Sequence, residues 1–216
     1  MLILGLSGGI ASGKNLICEV FSQYNSAIFD ADKIAHDLLQ NDQDSINQIA
    51  IKFPQVIENG VVNRKVLADF LFIDYSKFSS KIKILEEILH PKIRQSYKTF
   101  LEQNNRKDLN FLVLNIPLLL ETKAYNYDKL ITLKCDEKIR LERYLTRAGF
   151  VLDSKKINLN ELEKRFKMIS DRQLSDQVRQ ERADYIIDNN SNIFATIQQA
   201  KSIILELIPN PIYNSI

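Results

Sequence analysis

Two periodicities alternate along the chain. Short apolar runs at Leu2–Leu6, Ala27–Phe29, Phe111–Leu114, Lys129–Lys134 and Tyr185–Ile187 have the length and make-up of strands. After the first run, apolar residues recur at helical spacing (Leu16, Ile17, Val20, Phe21). They do so again after the second (Ile34, Ala35, Leu38, Leu39) and over roughly Asn192–Leu207, ahead of a Pro209–Ile216 tail that reads as loose. Strands alternating with helices predict an α/β fold with a doubly wound, parallel, five-stranded sheet. The stretch from Asn41 to Asn110 breaks this rhythm. Ser45–Phe53, Asn63–Phe72, Ser76–Leu89 and Lys92–Gln103 show helical spacing with no strong strand signal. Asn59-Gly60 reads as a turn between the first two. His90-Pro91 reads as a break between the last two, with His90 near an N-cap because proline suits the first turn of a helix. A helical block inserted between the second and third strands is therefore expected.

The chemistry concentrates where the first strand ends. Gly8-Gly9-Ile10-Ala11-Ser12-Gly13-Lys14-Asn15 follows an apolar strand and opens a helix, the context a phosphate-binding loop requires. Glycines let the chain turn tightly so that successive N–H groups point inward at a phosphate. The helix adds its positive end, and Lys14 adds a full charge for the outer phosphates. Four of the chain's six glycines lie in the first thirteen residues, so the clustering marks this turn and no other. The residue after the lysine, usually Ser or Thr with a hydroxyl on Mg²⁺, is Asn15. An amide oxygen is also a hard ligand.

Composition narrows the picture. In 216 residues, 45% hydrophobic content supplies a core, and a net charge of +2 gives no reason to expect a nucleic-acid partner. No apolar run approaches a membrane span, and none at the start reads as a leader peptide. Cys18 and Cys135 fall in a helix and a strand and read as buried thiols of a reducing compartment. A soluble cytoplasmic enzyme is expected, acting as a monomer on a small molecule, with no membrane or nucleic acid involved.

Two further groups invite a functional reading. Asp30-Ala31-Asp32 closes the second strand, at the edge of an α/β sheet where ligands bind and close to the loop after strand one. On an extended segment only one of the pair would face the loop, and Asp32 could equally cap the next helix. Arg140, Arg143, Arg147, Arg165 and Arg172 are spread between strands four and five. They suit a lid closing over phosphates, or a surface helix paired with Glu137, Glu142, Glu161 and Glu163.

The residues at this point resemble the dephospho-CoA kinase family. The resemblance rests on the loop at 5–14, Asp30-Ala31-Asp32, and Asn59-Gly60 leading to Arg64. It continues through Leu85–Arg94 with His90-Pro91-Lys92-Ile93, Ile116-Pro117-Leu118-Leu119 with Glu121, Arg143 with Arg147, Gln173, and Ala183–Asn189. It implies a P-loop NTPase core of the nucleoside-monophosphate-kinase kind (1–40 and 111–216). It also implies a lid over about 136–175 and a helical CoA-binding insertion (41–110). The implied reaction transfers the γ-phosphoryl group of ATP, with Mg²⁺, to the ribose 3′-hydroxyl of dephospho-CoA. Asp32 would be the base, with Lys14, Arg143 and Arg147 acting on the phosphates. Gly8 through Asn15 would hold ATP, while Asp30, Arg64, His90, Ile93 and Pro117 would hold the acceptor. Asn15 and Asn115 fall at the metal; Asn115 stands where the family usually has Asp, and the lid is longer than usual. Two other readings fit the same residues: another small-molecule P-loop kinase, or a catalytically weakened nucleotide- or CoA-binding protein.

Overall fold

The strand that carries the loop is the middle of the sheet. In the computed structural model, which describes residues 1–105, 108–151 and 159–213, β1 (Leu2–Gly8) is flanked by β5 (Phe111–Asn115) and β6 (Lys129–Lys134). Both neighbours run parallel to it, with Leu2 opposite Phe111, Leu6 opposite Asn115 and Gly8 opposite Leu133. Outside them lie β2 (Ser26–Asp30) and β7 (Tyr185–Asp188), giving the order β2-β5-β1-β6-β7. A central parallel strand is covered on both faces, which is why β1 and β5 read as near-continuous apolar runs. The five-stranded α/β sheet is as the sequence predicts. Its order places β5 between β2 and β1, so the second strand does not adjoin the loop-bearing one.

One face of the sheet is closed by α1 (Lys14–Ser22) and α10 (Ile193–Leu207). Leu4, Leu6, Phe111, Ile131, Leu133 and Ile187 pack there with Ile17, Phe21, Ala200 and Ile204, all essentially inaccessible. Phe21 meets Phe111 edge-on at 5.6 Å and 79°. Asp184 pins the entry to β7: its carboxylate accepts from the Leu130 amide at 2.8 Å and from Lys129 Nζ at 2.9 Å. The tail is tied down at least as far as Tyr213. Asn110 exchanges hydrogen bonds with both backbone groups of Ile212, and Tyr213 lies 5.0 Å from the Tyr24 ring. The expectation of a loose tail is corrected to that extent; 214–216 lie outside the described residues.

The chain divides into two compact units, Met1–Phe29 with Asn104–Ile216, and Asp30–Gln103. In the second unit α2 (Ala31–Asn41) packs on α3 (Gln43–Lys52) and β4 (Val61–Val62), so the boundary falls before α2 and not after residue 40. Asn59-Gly60 joins β3 (Ile57–Glu58) to β4 as a two-residue hairpin. Both turn residues have positive φ (51° and 78°), the mirror-type turn that suits strand twist. The strands are two residues long, too short for a periodicity to register. α4 (Arg64–Phe72) is capped by Asn63.

His90-Pro91 does not separate two helices. α5 (Phe78–Asn104) runs through Pro91 without interruption. Proline forfeits one intrahelical hydrogen bond, and burial of Ile88, Leu89, Ile93 and Tyr97 around it offsets that loss. Part of this unit's positive charge is paired internally. Lys92 is bound by two carboxylates, Asp44 at 2.6 Å and Asp42, the latter also capping α3 through the Ser45 amide.

The Lys92 hydrogen bond and the Ser45 contacts hold the Asp42 carboxyl down to about 2. A carboxyl lowered on folding stabilises above its unfolded value near 4, and that stabilisation is lost as pH falls toward 2. Asp42→Asn keeps the cap and removes the charge. Its melting temperature is expected to lie below wild type at pH 5–7 and to converge with it on acidification toward pH 2, read by thermal unfolding across that range.

Candidate active site

The loop at the end of β1 closes because two residues outside it, Asn189 and Gln173, hold its backbone. Gly13 sits at φ 102° against the Asn189 amide, and a Cβ there would strike Asn189 Nδ2. Asn189, just beyond β7, is 4% exposed. Its Nδ2 donates to the Ser12 carbonyl at 2.7 Å, and its Oδ1 accepts from Thr196 Oγ1 at 2.8 Å. The Gln173 side chain reaches across from the other side. Its Oε1 accepts from the Ile10 amide at 2.8 Å, and its Nε2 donates to the Pro117 carbonyl at 3.3 Å. Glu121 at the end of α6 (Leu119–Thr122) accepts from the Leu174 amide at 2.7 Å, holding the same crossing. Lys14 Nζ lies over the loop, donating to the carbonyls of Gly8 at 2.8 Å and Gly9 at 3.4 Å. This turn followed by nine residues of helix has the form that suits a phosphate.

Beside it opens a cleft of about 580 Å³. Ala11, Gly13 and Leu16 form one side, Arg143, Thr146 and Arg147 of α7 (Glu137–Val151) another, and Asn189 and Ile193 the end. Aliphatic groups opposite planar guanidinium groups suit a flat heteroaromatic ring. Arg143 is anchored: Nη2 donates to the Asn189 carbonyl at 3.1 Å and Nη1 to Cys135 Sγ at 3.4 Å. Burial pushes the Cys135 thiol up against the opposing pull of Arg143 and Arg140, so it remains a thiol. Both cysteines are buried and free of disulfides, as expected. Arg147, one turn further along, is exposed.

The remaining arginines divide. Arg165 on α8 (Leu159–Ser170) is buried and pairs with Glu161 at 2.6 Å, following the ion-pair alternative. Arg140 is buried under the loop. Residues 152–158 of the expected lid lie outside the described residues.

Asn15 is exposed on the first turn of α1, and Asn115 is buried at the end of β5. Both supply neutral amide oxygens, and no group of three His, Cys, Asp or Glu fit to hold a metal occurs among the described residues. That donor chemistry suits a hard cation already chelated by phosphate oxygens.

In the second unit, Asp30 and not Asp32 is the N-cap of α2. Asp30 Oδ1 accepts from the amides of Asp32 and Lys33, each at 3.1 Å. Asp32 is exposed on the first helical turn, so the two acids do not alternate along an extended segment. Arg64 borders a hollow of about 350 Å³ with His36, Asn59 and Lys65, its Nη1 lying 3.4 Å from His36 Nδ1. His90 borders a separate hollow of about 370 Å³ with Lys83, Glu86 and Arg94, and Ile93 is buried beneath. Leu16, Thr146 and Ile193 escaped the sequence reading because their types carry no chemical signal. Asn189 was visible only as part of a family pattern.

Gln173→Ala removes the bond to the Ile10 amide and the bond to the Pro117 carbonyl that holds the side chain in place. With net hydrogen bonds worth about 0.5–1.5 kcal/mol each, the KM for the nucleoside triphosphate is expected to rise about 3- to 10-fold with a smaller change in kcat. Saturation kinetics check this.

The dephospho-CoA kinase family model matches residues 2–195. Dephospho-CoA kinases of Bartonella henselae and Bartonella quintana are 34% and 36% identical to the chain, over 97% of it and 100% of each relative. A solved dephospho-CoA kinase from Campylobacter jejuni superposes with a TM-score of 0.63 at 25% identity, over 95% of this chain and 96% of that one. A Thermus thermophilus crystal structure superposes at 0.71 with 22% identity, over 96% and 97%, and shares the fold. With the family model matched along nearly the whole chain and relatives of 34% and 36% identity covering 97% of it, this protein belongs to the dephospho-CoA kinase family.

Proposed function

We propose that the protein transfers the γ-phosphoryl group of ATP to the ribose 3′-hydroxyl of dephospho-CoA, giving coenzyme A and ADP. The observation that carries this is the braced loop with Lys14 across its carbonyls, in a chain matching the family from residue 2 to 195. The amides of Gly9, Ala11, Gly13 and Lys14 and the start of α1 take the phosphates, those of Ile10 and Ser12 being bonded to Gln173 and to the Gly9 carbonyl, and the cleft between Leu16 and Arg143 takes the base. Phosphoryl transfer through a loose transition state asks the protein mainly for position and positive charge, which Lys14, Arg143 and Arg147 supply. Asn15 and Asn115 would hold Mg²⁺ through amide oxygens. When bound it neutralises charge on the β- and γ-phosphates. Arg64 and His90, each bordering a hollow of the second unit, are the groups available to the acceptor. No helix among the described residues is long and apolar enough to cross a membrane.

Asp32 serves as the general base. Its exposed carboxylate on the first turn of α2 and its place as the second acid of the family pair support that role, while Asp30 is committed to capping. Asp32→Asn preserves shape and removes basicity, and its kcat is expected to fall by roughly 10²–10⁴ with little change in KM for ATP. Asp30→Asn is expected to lose clearly less. Steady-state rates with dephospho-CoA decide between them: an inactive Asp30→Asn beside an Asp32→Asn that keeps a tenth of the rate reverses the roles.

A further inference from the structure

We propose that Arg140 is a positioning residue for the triphosphate, a buried cation set behind Gly9 whose incompletely neutralised charge strengthens the loop's hold on phosphate. This rests on the reading of Gly8–Lys14 as the phosphate site. Arg140 lies on the first turn of α7 and is 3% exposed. Its Nε donates to the Cys135 carbonyl at 3.0 Å and its Nη2 to Asp176 Oδ2 at 3.3 Å. Its Nη1 is buried with no hydrogen-bond partner among the described residues. That nitrogen lies against the loop, where a Cβ on Gly9 would collide with it.

The charge balance around it is uneven. Asp176, on α9 (Asp176–Arg182), also binds Arg179, itself 3% exposed, so two buried guanidinium groups share one carboxylate. Asp136 and Glu137, on the turn before Arg140, are exposed, where water screens them. The Phe166 ring, its centroid 5.8 Å from Cζ, covers another side with an apolar wall. Arginine cannot shed its proton in a protein, so burial leaves a fixed positive charge in a medium that screens it poorly. A phosphate in the loop brings negative charge close to the far side of Gly9. Its attraction to Arg140 adds to that of Lys14 without any direct contact. Glycine at position 9 is then required for close approach, since any side chain would push the guanidinium away from the loop.

The charge model fixes the sign of two substitutions. Arg140→Gln removes the charge and keeps polar atoms for Cys135 and Asp176, whereas Asp176→Asn leaves both arginines less neutralised. Binding of ATP and of adenosine, which lacks phosphates, is measured by calorimetry at fixed salt, with folding checked by thermal melting. Arg140→Gln is expected to weaken ATP about tenfold and to leave adenosine within about twofold. Arg140→Lys should stay within about threefold of wild type for ATP, and Asp176→Asn should bind ATP severalfold more tightly. The proposal is overturned if Arg140→Gln binds ATP like wild type, or weakens ATP and adenosine equally, as a deformed cleft would. It is also overturned if Arg140→Lys is as weak as Arg140→Gln, or if Asp176→Asn weakens ATP. Should Arg140→Gln not fold, the Lys and Asn variants decide the matter. Undiminished ATP binding by Lys14→Ala would instead remove the phosphate-site reading itself, whatever Arg140 does.

Discussion

A loop that must turn its amide hydrogens toward a ligand can spend few of them on itself, and most of its shape has to be maintained from outside. The residues around Gly8–Lys14 meet that requirement from several directions. Asn189 holds the Ser12 carbonyl, Gln173 takes the Ile10 amide, and Thr196 fixes Asn189 in turn. These braces come from the far end of β7, from the segment before α9 and from α10, so the C-terminal half of the chain is committed to a turn made by the first thirteen residues. The parallel sheet makes this possible, because it brings the carboxyl ends of β1, β6 and β7 to one edge.

The same requirement explains how polar groups are distributed in the core. Asn189, Arg140 and Arg179 are buried, which is costly unless each is bonded. Their partners are the carbonyls of Ser12 and Cys135, the Thr196 hydroxyl and the Asp176 carboxylate, groups fixed before any ligand arrives. Positioning of this kind suits phosphoryl transfer, where preset charge and geometry matter more than covalent participation by the protein.

Much of this was legible in the sequence, for reasons that differ by element. The strand-loop-helix at the start was plain because apolar run, glycines, lysine and helical periodicity coincide within about twenty residues. The β3–β4 hairpin left only its Asn-Gly turn, since two-residue strands carry no period. Pro91 looked like a boundary because local preference favours a break, and the apolar side chains buried along both halves of α5 overrode it. The assignment of Asp30 to the cap and the sharing of Asp176 by Arg140 and Arg179 depend on tertiary placement that spacing cannot reveal. Gln173 and Asn189 drew attention only through a family resemblance; nothing in their neighbouring residues announces a brace for a loop more than 160 residues away.

The central claim is that a braced phosphate loop serves a kinase whose acceptor is the ribose hydroxyl of dephospho-CoA. The most direct measurement supplies ATP and Mg²⁺ with dephospho-CoA, and separately with AMP or no acceptor, and follows ADP release while phosphorus NMR locates the new phosphate. Stoichiometric ADP and a 3′-phosphomonoester formed only with dephospho-CoA is the expected result. ADP release that is indifferent to dephospho-CoA, or faster phosphorylation of AMP, would contradict it.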